Sequence, residues 1–130
     1  MSNTIGRAAR ILDLLAQRGA MGVRAIAQHL QLPLGSVHRI LLDLADEDFI
    51  ERTPVGEWEM SFRLLGITGL QLDRMQLPQL ARPFAERIAE QTGETVNVNA
   101  LGNLTGVCID KVRGKEGMQL DLLIGSRGPL

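Results

Sequence analysis

Residues 23–46 read VRAIAQHLQLPLGSVHRILLDLAD, and this stretch decides the fold because its apolar positions fit two short helices joined by a tight turn. The first helix is predicted from Val23 to Leu30. The second is predicted to open at Pro33, since proline is pre-set for the first helical position. Its inward residues follow the i, i+3, i+4, i+7 spacing of one buried stripe; they are Val37, Ile40, Leu41 and Leu44. Two crossed helices of this kind predict a helix-turn-helix.

The segments on either side extend this pair to a winged helix-turn-helix over residues 1–60. Ahead of it, apolar residues at helical spacing predict another helix. The residues expected on its inward face are Ile5, Ala8, Ala9, Leu12, Leu15 and Ala16. After the pair, Phe49–Arg52 and Glu57–Met60 flank Thr53-Pro54-Val55-Gly56, whose proline and glycine are typical of a turn. This hairpin is the predicted wing.

Residues 61–77 are expected to form a linker helix that a second subunit covers. Its apolar side chains spread around most of the helix, and a helix of that kind is buried on several sides. They are Leu64, Leu65, Ile67, Leu70, Leu72, Met75 and Leu77. Because so short a chain has little core to surround this helix, we expect a homodimer. An ordinary core helix is the alternative.

Residues 78–130 are predicted to begin an α/β domain, which makes the whole chain α+β. A helix that Pro83 kinks or restarts is expected to end at Gly93. Three strand-like runs follow it: Thr95–Leu101, Leu104–Val112 and Met118–Ile124. We expect Gly102-Asn103 to form the first hairpin turn, and Gly125-Ser126-Arg127-Gly128 to be a plain loop rather than an anion site. One helix and three strands do not complete a layered domain, so this part looks truncated.

Composition excludes several classes of protein. No apolar run approaches the ~20 residues that a membrane span needs, and the N-terminus has no apolar signal-peptide segment. The single cysteine of the chain excludes an internal disulfide and fits a reducing compartment. We therefore predict a cytoplasmic protein that makes no membrane contact.

The net charge of −1 is low for a nucleic-acid binder, but the charges are unevenly distributed. Residues 1–39 hold five arginines against one aspartate, whereas residues 40–60 hold one arginine against seven carboxylates. The first stretch is therefore suited to meet phosphate while the second faces away from it. Solvated helix faces are the alternative, because charge patterning concerns partners rather than fold.

The candidate site is a DNA-binding surface centred on the N-terminal end of the helix that Pro33 opens. Ser36 and His38 are expected where such a helix reaches base edges. Leu34 is suited to touch a thymine methyl group. Gly35 can offer its backbone amide to a phosphate, since helix N-termini bind anions.

Four arginines complete the candidate site. Arg7 and Arg24 are expected to grip phosphate near the starts of their helices, and such contacts position a protein without reading sequence. Arg39 is expected to bind phosphate as well, with an ion pair to Asp43 one turn on as the alternative. Arg52 leads into the wing, where it either reaches an adjacent groove or remains a solvated charge.

The chain resembles the IclR family of bacterial transcription regulators along nearly its whole length. The matching runs are GRAARIL at 6–12, LPLGSVHRIL at 32–41, WEMSFRLLG at 58–66 and TGETVN at 92–97. The resemblance implies an N-terminal winged helix that binds operator DNA, a linker helix that helps to form dimers, and a C-terminal α/β (GAF-like) domain that binds a small organic effector. That domain normally continues well past residue 130, so the chain is expected to be a fragment or a truncated product.

The resemblance also implies the partners and one difference from the family. A pseudo-palindromic double-stranded operator, an organic-acid effector and repression are expected, whereas the family's tetramer is in doubt here because much of the effector domain is absent. Leu34 and Gly35 stand where the family often has lysine and serine, so base readout is expected to rest more on His38 and on apolar contact. Gln31 stands at a common glycine position, and a left-handed backbone there would cost ~1–2 kcal/mol.

An enzyme is not predicted. His29 and His38 lie on different helices and Cys108 lies in a strand of the other unit, so no metal-ligand spacing exists. No catalytic residue, cofactor or metal is therefore assigned. The remaining alternative is a winged helix that binds a protein instead of DNA, to which the acidic stretch from Asp43 to Glu59 would be suited.

Overall fold

The chain divides into two units, residues 1–69 and residues 70–130. The structure, a computed structural model, describes residues 3–115 and 123–129. The first unit holds helices α1 (Thr4–Arg18), α2 (Val23–Leu30) and α3 (Leu34–Asp46) and strands β1 (Ile50–Arg52) and β2 (Trp58–Met60). Helix α4 (Arg63–Met75) crosses the division, and the second unit continues with α5 (Leu77–Thr92), β3 (Val96–Gly102), β4 (Thr105–Val112) and β5 (Arg127–Pro129). The predicted α+β class is confirmed.

One hydrophobic core holds together the helices and the hairpin of the first unit. Its buried side chains are Ile11, Leu14, Leu15, Ile26, Ala27, Val37, Ile40, Leu41, Leu44, Ile50 and Trp58. The four on α3 are the stripe that the spacing predicts. Trp58 ties the hairpin to the α1–α2 loop, because its backbone exchanges two hydrogen bonds with Met21, at 2.9 and 2.8 Å. Nothing in the sequence pattern indicates this last pairing.

The inward face of α1 matches the predicted one in part: Leu15 is buried, and Ala8 and Leu12 pack against the core. Its buried residues are Ile11, Leu14 and Leu15, whereas Ile5, expected inside, is 82% exposed. Two of the alanines expected inside are exposed as well. Alanine is small enough to lie on either side of a helix, so alanines at the right spacing drew the predicted stripe to a neighbouring face.

The turn between α2 and α3 is tight and partly strained. Pro33 is the N-cap of α3, with ψ 136°, and not the first helical residue that was predicted. Gln31 has φ 55° and ψ 45°, the left-handed conformation, which costs a non-glycine residue ~1–2 kcal/mol. The amide of Leu32 donates to the carbonyl oxygen of Ala27 at 3.0 Å. These features fix the angle at which α3 leaves α2.

The wing is a two-stranded ribbon closed by the predicted turn. Strands β1 and β2 pair antiparallel, with Arg52 opposite Trp58. The amide of Gly56 donates to the carbonyl oxygen of Thr53 at 2.9 Å, and Gly56 has φ 85°. That positive φ is why a glycine ends the turn.

The first residue of α4 is held by contacts with the first unit, and the helix then exposes apolar side chains to solvent. Arg63 donates a hydrogen bond to the carbonyl oxygen of Glu47, and its guanidinium carbon lies 4.8 Å from the centre of the Phe49 ring. No residue of α4 is buried in the single chain; Leu65 and Leu70 are 64% and 72% exposed. Within the described part of the chain, no helix has the length and apolar content needed to cross a membrane.

In the second unit, α5 packs against an antiparallel sheet of order β3-β4-β5. Pro83 lies inside α5, which runs on to a left-handed Gly93 at φ 71°. Arg82 donates from Nε to Glu86 at 2.9 Å and from Nη1 to both carboxylate oxygens of Asp110 at 3.0 and 3.2 Å. The hydrogen bond to Glu86 and, to a smaller extent, the one to Asp110 raise the pKa of Arg82.

The strands of the second unit differ from the prediction in two places. The first hairpin turns at Asn103-Leu104, both with positive φ of 47° and 65°, one residue later than Gly102-Asn103. Arg127–Pro129 pairs with β4 as a strand, although Gly125-Ser126-Arg127-Gly128 was predicted to be a loop; glycine and proline are depleted in strands, so the pattern does not indicate one there. Of the predicted strand Met118–Ile124, residues 118–122 lie outside the described residues and the last two are not in a strand.

Candidate nucleic-acid interface

Helix α3 presents one face to the core and the opposite face to solvent. Seven residues of α3 are exposed: Leu34, Gly35, His38, Arg39, Leu42, Asp43 and Asp46. A period of 3.6 residues per turn places the last six away from the buried stripe, whereas Leu34 lies in line with Leu41 and is exposed in the first turn of the helix. Ser36 is half-buried and lies beside α1 rather than on the outermost face. The outer surface of α3 is therefore free to enter a groove.

The N-terminus of α3 carries backbone amides without intrahelical partners. The first helical hydrogen bond runs from the amide of Val37 to the carbonyl oxygen of Pro33, at 3.1 Å, so the amides of residues 34–36 precede it. No side chain of the described residues caps this terminus. A Cβ atom added at Gly35 would meet nothing within 4 Å. An anion can therefore approach the positive end of the helix dipole closely.

A cleft of about 420 Å³ lies between the first turns of α1 and the N-terminal half of α3. Its lining residues are Thr4, Arg7, Gly35, Ser36, Arg39, Ile40 and Asp43. Arg7 and Arg39 thus come from two helices to one cleft, next to the Ser36 hydroxyl. Among the ion pairs of the described residues, none joins Arg39 to Asp43. The cleft combines two cations, a hydroxyl and a helix N-terminus, a set that suits a phosphate group, and the Asp43 carboxylate lies at its edge.

The other two candidate arginines lie apart from this cleft. Arg24 is exposed in the first turn of α2, whose N-cap Gly22 makes no side-chain hydrogen bond. The guanidinium carbon of Arg52 lies 4.5 Å from the centre of the Trp58 ring, across the hairpin. Arg52 therefore covers a buried indole while it remains exposed, and its role at a DNA groove stays a prediction.

Sequence reasoning missed Arg10 as a supporting residue of the interface. Its Nη2 donates to the carbonyl oxygen of Leu30 at 3.0 Å, where the last carbonyls of α2 need partners. This bond ties α1 to the end of α2 just before the turn. No sequence signal marks it, because the two residues lie 20 positions apart.

The carboxylates gather at the far end of α3. Asp46, Glu47, Asp48 and Glu51 are all exposed at the α3–β1 connection, while the cleft and the free amides lie at the start of the helix. Thirteen residues of α3 separate the two ends by about 20 Å at 1.5 Å per residue. The first unit is therefore polar along α3, cationic where the helix begins and anionic where it ends.

Metal chemistry has no visible basis in the portion of the chain that the structure describes. No group of three His, Cys, Asp or Glu side chains there could hold a metal ion. Cys108, the one cysteine, is buried with its Sγ 3.6 Å from the carbonyl oxygen of Asp110. It packs as a small apolar residue of the sheet.

Two family models match the chain in sequence. The model described as the IclR helix-turn-helix domain matches residues 4–54. The model described as the C-terminal domain of the bacterial transcriptional regulator IclR matches residues 69–130. The first match contains the cleft and all of α3, and the second contains α5 and the sheet.

Two curated relatives are transcriptional regulators. KipR, an HTH-type transcriptional regulator of Bacillus subtilis, is 22% identical over 129 residues, which are 99% of this chain and 52% of KipR. AllR, an HTH-type transcriptional repressor of Escherichia coli, is 28% identical over 131 residues, 99% of this chain and 48% of AllR. The chain thus spans about half the length of the curated relatives it matches.

A solved structure supports the same fold. It is that of an IclR homolog of Microbacterium hydrocarbonoxydans in complex with 4-hydroxybenzoate, with a TM-score of 0.80 and 20% sequence identity. The likeness covers 98% of this chain and 53% of that one. At this level of identity it establishes the architecture alone.

Proposed function

The chain belongs to the IclR family of bacterial transcriptional regulators, and we propose that its first unit binds double-stranded DNA with α3 in the major groove. The observation that carries this proposal is the exposed N-terminal half of α3 beside a cleft with two arginines. A helix in that setting presents side chains to base edges while neighbouring cations hold the phosphates.

The candidate residues divide between the two tasks. Leu34 and His38 lie on the exposed surface of α3 and are assigned to base edges, with Gly35 between them allowing close approach. Ser36 and the arginines are assigned to phosphate, because hydroxyl and guanidinium groups bind phosphate oxygens whatever the base sequence is. The assigned arginines are Arg7, Arg24, Arg39 and Arg52.

The regulator acts as a homodimer on a pseudo-palindromic operator in this proposal. Each chain has one recognition helix, and two such helices related by a two-fold axis read two half-sites. Exposed apolar side chains of α4, including Leu65, Ile67 and Leu70, supply a surface that a second copy would bury. Sedimentation of the chain is expected to give a dimer at micromolar concentration; a monomer that also fails to retard DNA would contradict this part.

Salt-dependent titration tests DNA binding itself. A duplex selected from a randomised library is titrated with the chain between about 50 and 200 mM salt, and affinity is expected to fall steeply through counterion release. The competing proposal is a protein-binding winged helix, favoured by the exposed carboxylates at the α3–β1 connection. An apolar protein contact would lack that salt dependence, so a selection that enriches no sequence and a flat profile would favour it.

Two substitutions test the division of tasks. We expect His38→Ala to weaken the selected duplex and to leave a scrambled duplex almost unchanged. Arg7→Ala is expected to weaken both duplexes alike and to reduce the slope against salt by about one. Arg18→Ala is the matched control, because Arg18 is exposed in the last turn of α1, away from the cleft. Equal selectivity losses in the first two variants would contradict the division.

In this proposal the protein is a repressor, and a small organic acid controls its DNA binding through the second unit. The similar AllR protein is a repressor, and the Microbacterium homolog holds 4-hydroxybenzoate. That ligand is therefore the first probe. Calorimetry with a panel of aromatic and aliphatic acids, on the protein carrying its whole effector domain, tests this; heats from none of the acids would refute it.

A further inference from the structure

Two leucines on the exposed face of α3 have no role in the core. Leu34 is 41% exposed and Leu42 is 44% exposed, and neither belongs to the apolar side chains packed against the core of the first unit. They lie eight residues apart with His38 midway. At about 100° per residue the three share an arc of roughly 80° on the helix. We call Leu34, His38 and Leu42 the apolar edge of α3.

The opposite edge of the exposed face has different chemistry. Ser36, Arg39 and Asp43 follow it and line the cleft that also contains Arg7. Gly35 lies between the two edges and has no side chain to fill the space there. When the charged edge meets the phosphate backbone, the apolar edge is the one that points across the groove toward the bases.

Only one apolar group is displayed on base edges in the major groove, the C5-methyl group of thymine. We infer that the apolar edge reads thymine methyl groups, with one thymine at Leu34 and another at Leu42. The inference rests on the proposed function, because it needs α3 in the major groove. It makes Leu42 a specificity-determining residue together with Leu34, and it predicts half-sites in which thymines recur.

The geometry of the helix also predicts how far apart the two thymines lie. Eight residues at 1.5 Å rise separate Leu34 and Leu42 by about 12 Å along the helix axis. Successive base pairs of a duplex rise about 3.4 Å along its axis. A helix lying along the groove therefore brings the two leucines to base pairs about three to four positions apart.

Replacement of thymine by uracil tests the inference with a change of one methyl group. Duplexes selected with the wild-type chain are remade with uracil at one thymine at a time and titrated. At two positions per half-site, affinity is expected to fall about fourfold, the factor for withdrawing one CH₂-sized group from apolar contact. The fall at one position is expected to disappear in Leu34→Ala, and the fall at the other in Leu42→Ala.

The possible results distinguish a failure of thymine-methyl readout from a failure of DNA binding itself. Failure to select any duplex would overturn DNA binding itself. A selected duplex whose uracil forms all bind equally well would overturn the methyl readout alone. Equal uracil losses in the wild-type chain and both variants, or coupling for only one leucine, would also overturn it, since the edge needs both leucines. Leu80→Ala, on α5 and 66% exposed, is the control for removing an exposed leucine.

Discussion

The two units of the chain differ in how many of their apolar side chains are buried. Eleven side chains of the first unit form one buried cluster, whereas the buried apolar side chains in the described part of the second unit are Ala85, Ala89 and Cys108. Helix α5 of the second unit instead exposes Leu80, Phe84 and Ile88 by 66%, 61% and 48%. The first unit therefore has a core that can hold a rigid recognition surface without help from the second.

Truncating a core side chain is expected to produce the largest change in stability, and to do so in the first unit but not in the second. Leu41 is completely buried in α3, so Leu41→Ala should destabilise the first unit by about 2–5 kcal/mol. Leu80→Ala removes the same atoms from an exposed site and should change stability by less than about 0.5 kcal/mol. Fluorescence of Trp58, the one tryptophan and a core residue of the first unit, follows denaturant unfolding of that unit, and circular dichroism follows unfolding of the whole chain, including the second unit. Similar shifts in both variants would break the comparison.

The two hairpins provide the next test, because one has glycine at its positive-φ position and the other does not. Gly56→Ala should destabilise the wing by about 1–2 kcal/mol, since φ 85° disfavours a side chain. Leu104→Gly should stabilise the second unit by up to about 1 kcal/mol, because an Asn-Gly pair suits a turn with two positive φ values. Denaturation followed by Trp58 fluorescence for the first and by circular dichroism for the second measures these changes. Effects of the same sign would contradict the assignment of strain.

The α2–α3 turn contains a left-handed glutamine, Gln31, whose strain can be tested by substitution. Gln31→Gly should raise stability by up to about 1 kcal/mol, since it relieves a left-handed glutamine. Gln28→Gly makes the same change three residues earlier, in exposed helix, and should lower stability by about 1 kcal/mol. Trp58 fluorescence measures both. A loss in both variants would mean that the turn is not strained.

Gly35 provides the smallest expected change in stability and links it to binding. Gly35→Ala should stabilise the first unit by about 0.5 kcal/mol, because alanine favours a helix and its Cβ meets open space. The same substitution should weaken DNA binding if the backbone of α3 approaches the duplex at this point. Denaturation and duplex titration of the same sample measure both; a more stable variant with unchanged affinity would show that DNA does not approach Gly35.

Much of the fold was readable from the chain because helical spacing and turn chemistry act locally. The stripe on α3, the wing turn and the end of α5 at Gly93 were all predicted. The wrong predictions lie where the local signal is ambiguous. Alanines at helical spacing shifted part of the predicted inward face of α1, and a segment that contains glycine and proline was predicted to be a loop although part of it forms β5. Those residues tolerate several environments, so contacts from elsewhere in the chain decide among them.

The candidate site was readable only in part. His38 and Gly35 could be assigned to the exposed side of α3 from the core pattern alone, whereas Leu34 has the spacing of the buried stripe and only the structure shows it exposed. Their role as DNA contacts, and that of the four arginines, remains a prediction. The half-burial of Ser36, the stacking of Arg52 on Trp58 and the bond from Arg10 to Leu30 could not be foreseen, since each depends on residues brought together by folding.

The sequence by itself determined that residues 23–46 form two helices with one apolar stripe, because side chains at fixed spacing share a face whatever surrounds them. Only the tertiary structure decided that Arg7 and Arg39 meet in one cleft, and that Leu34 and Leu42 are left outside the core. Those facts depend on where α1 packs against α3. Packing of that kind follows from the shapes of many side chains at once and not from any repeating pattern.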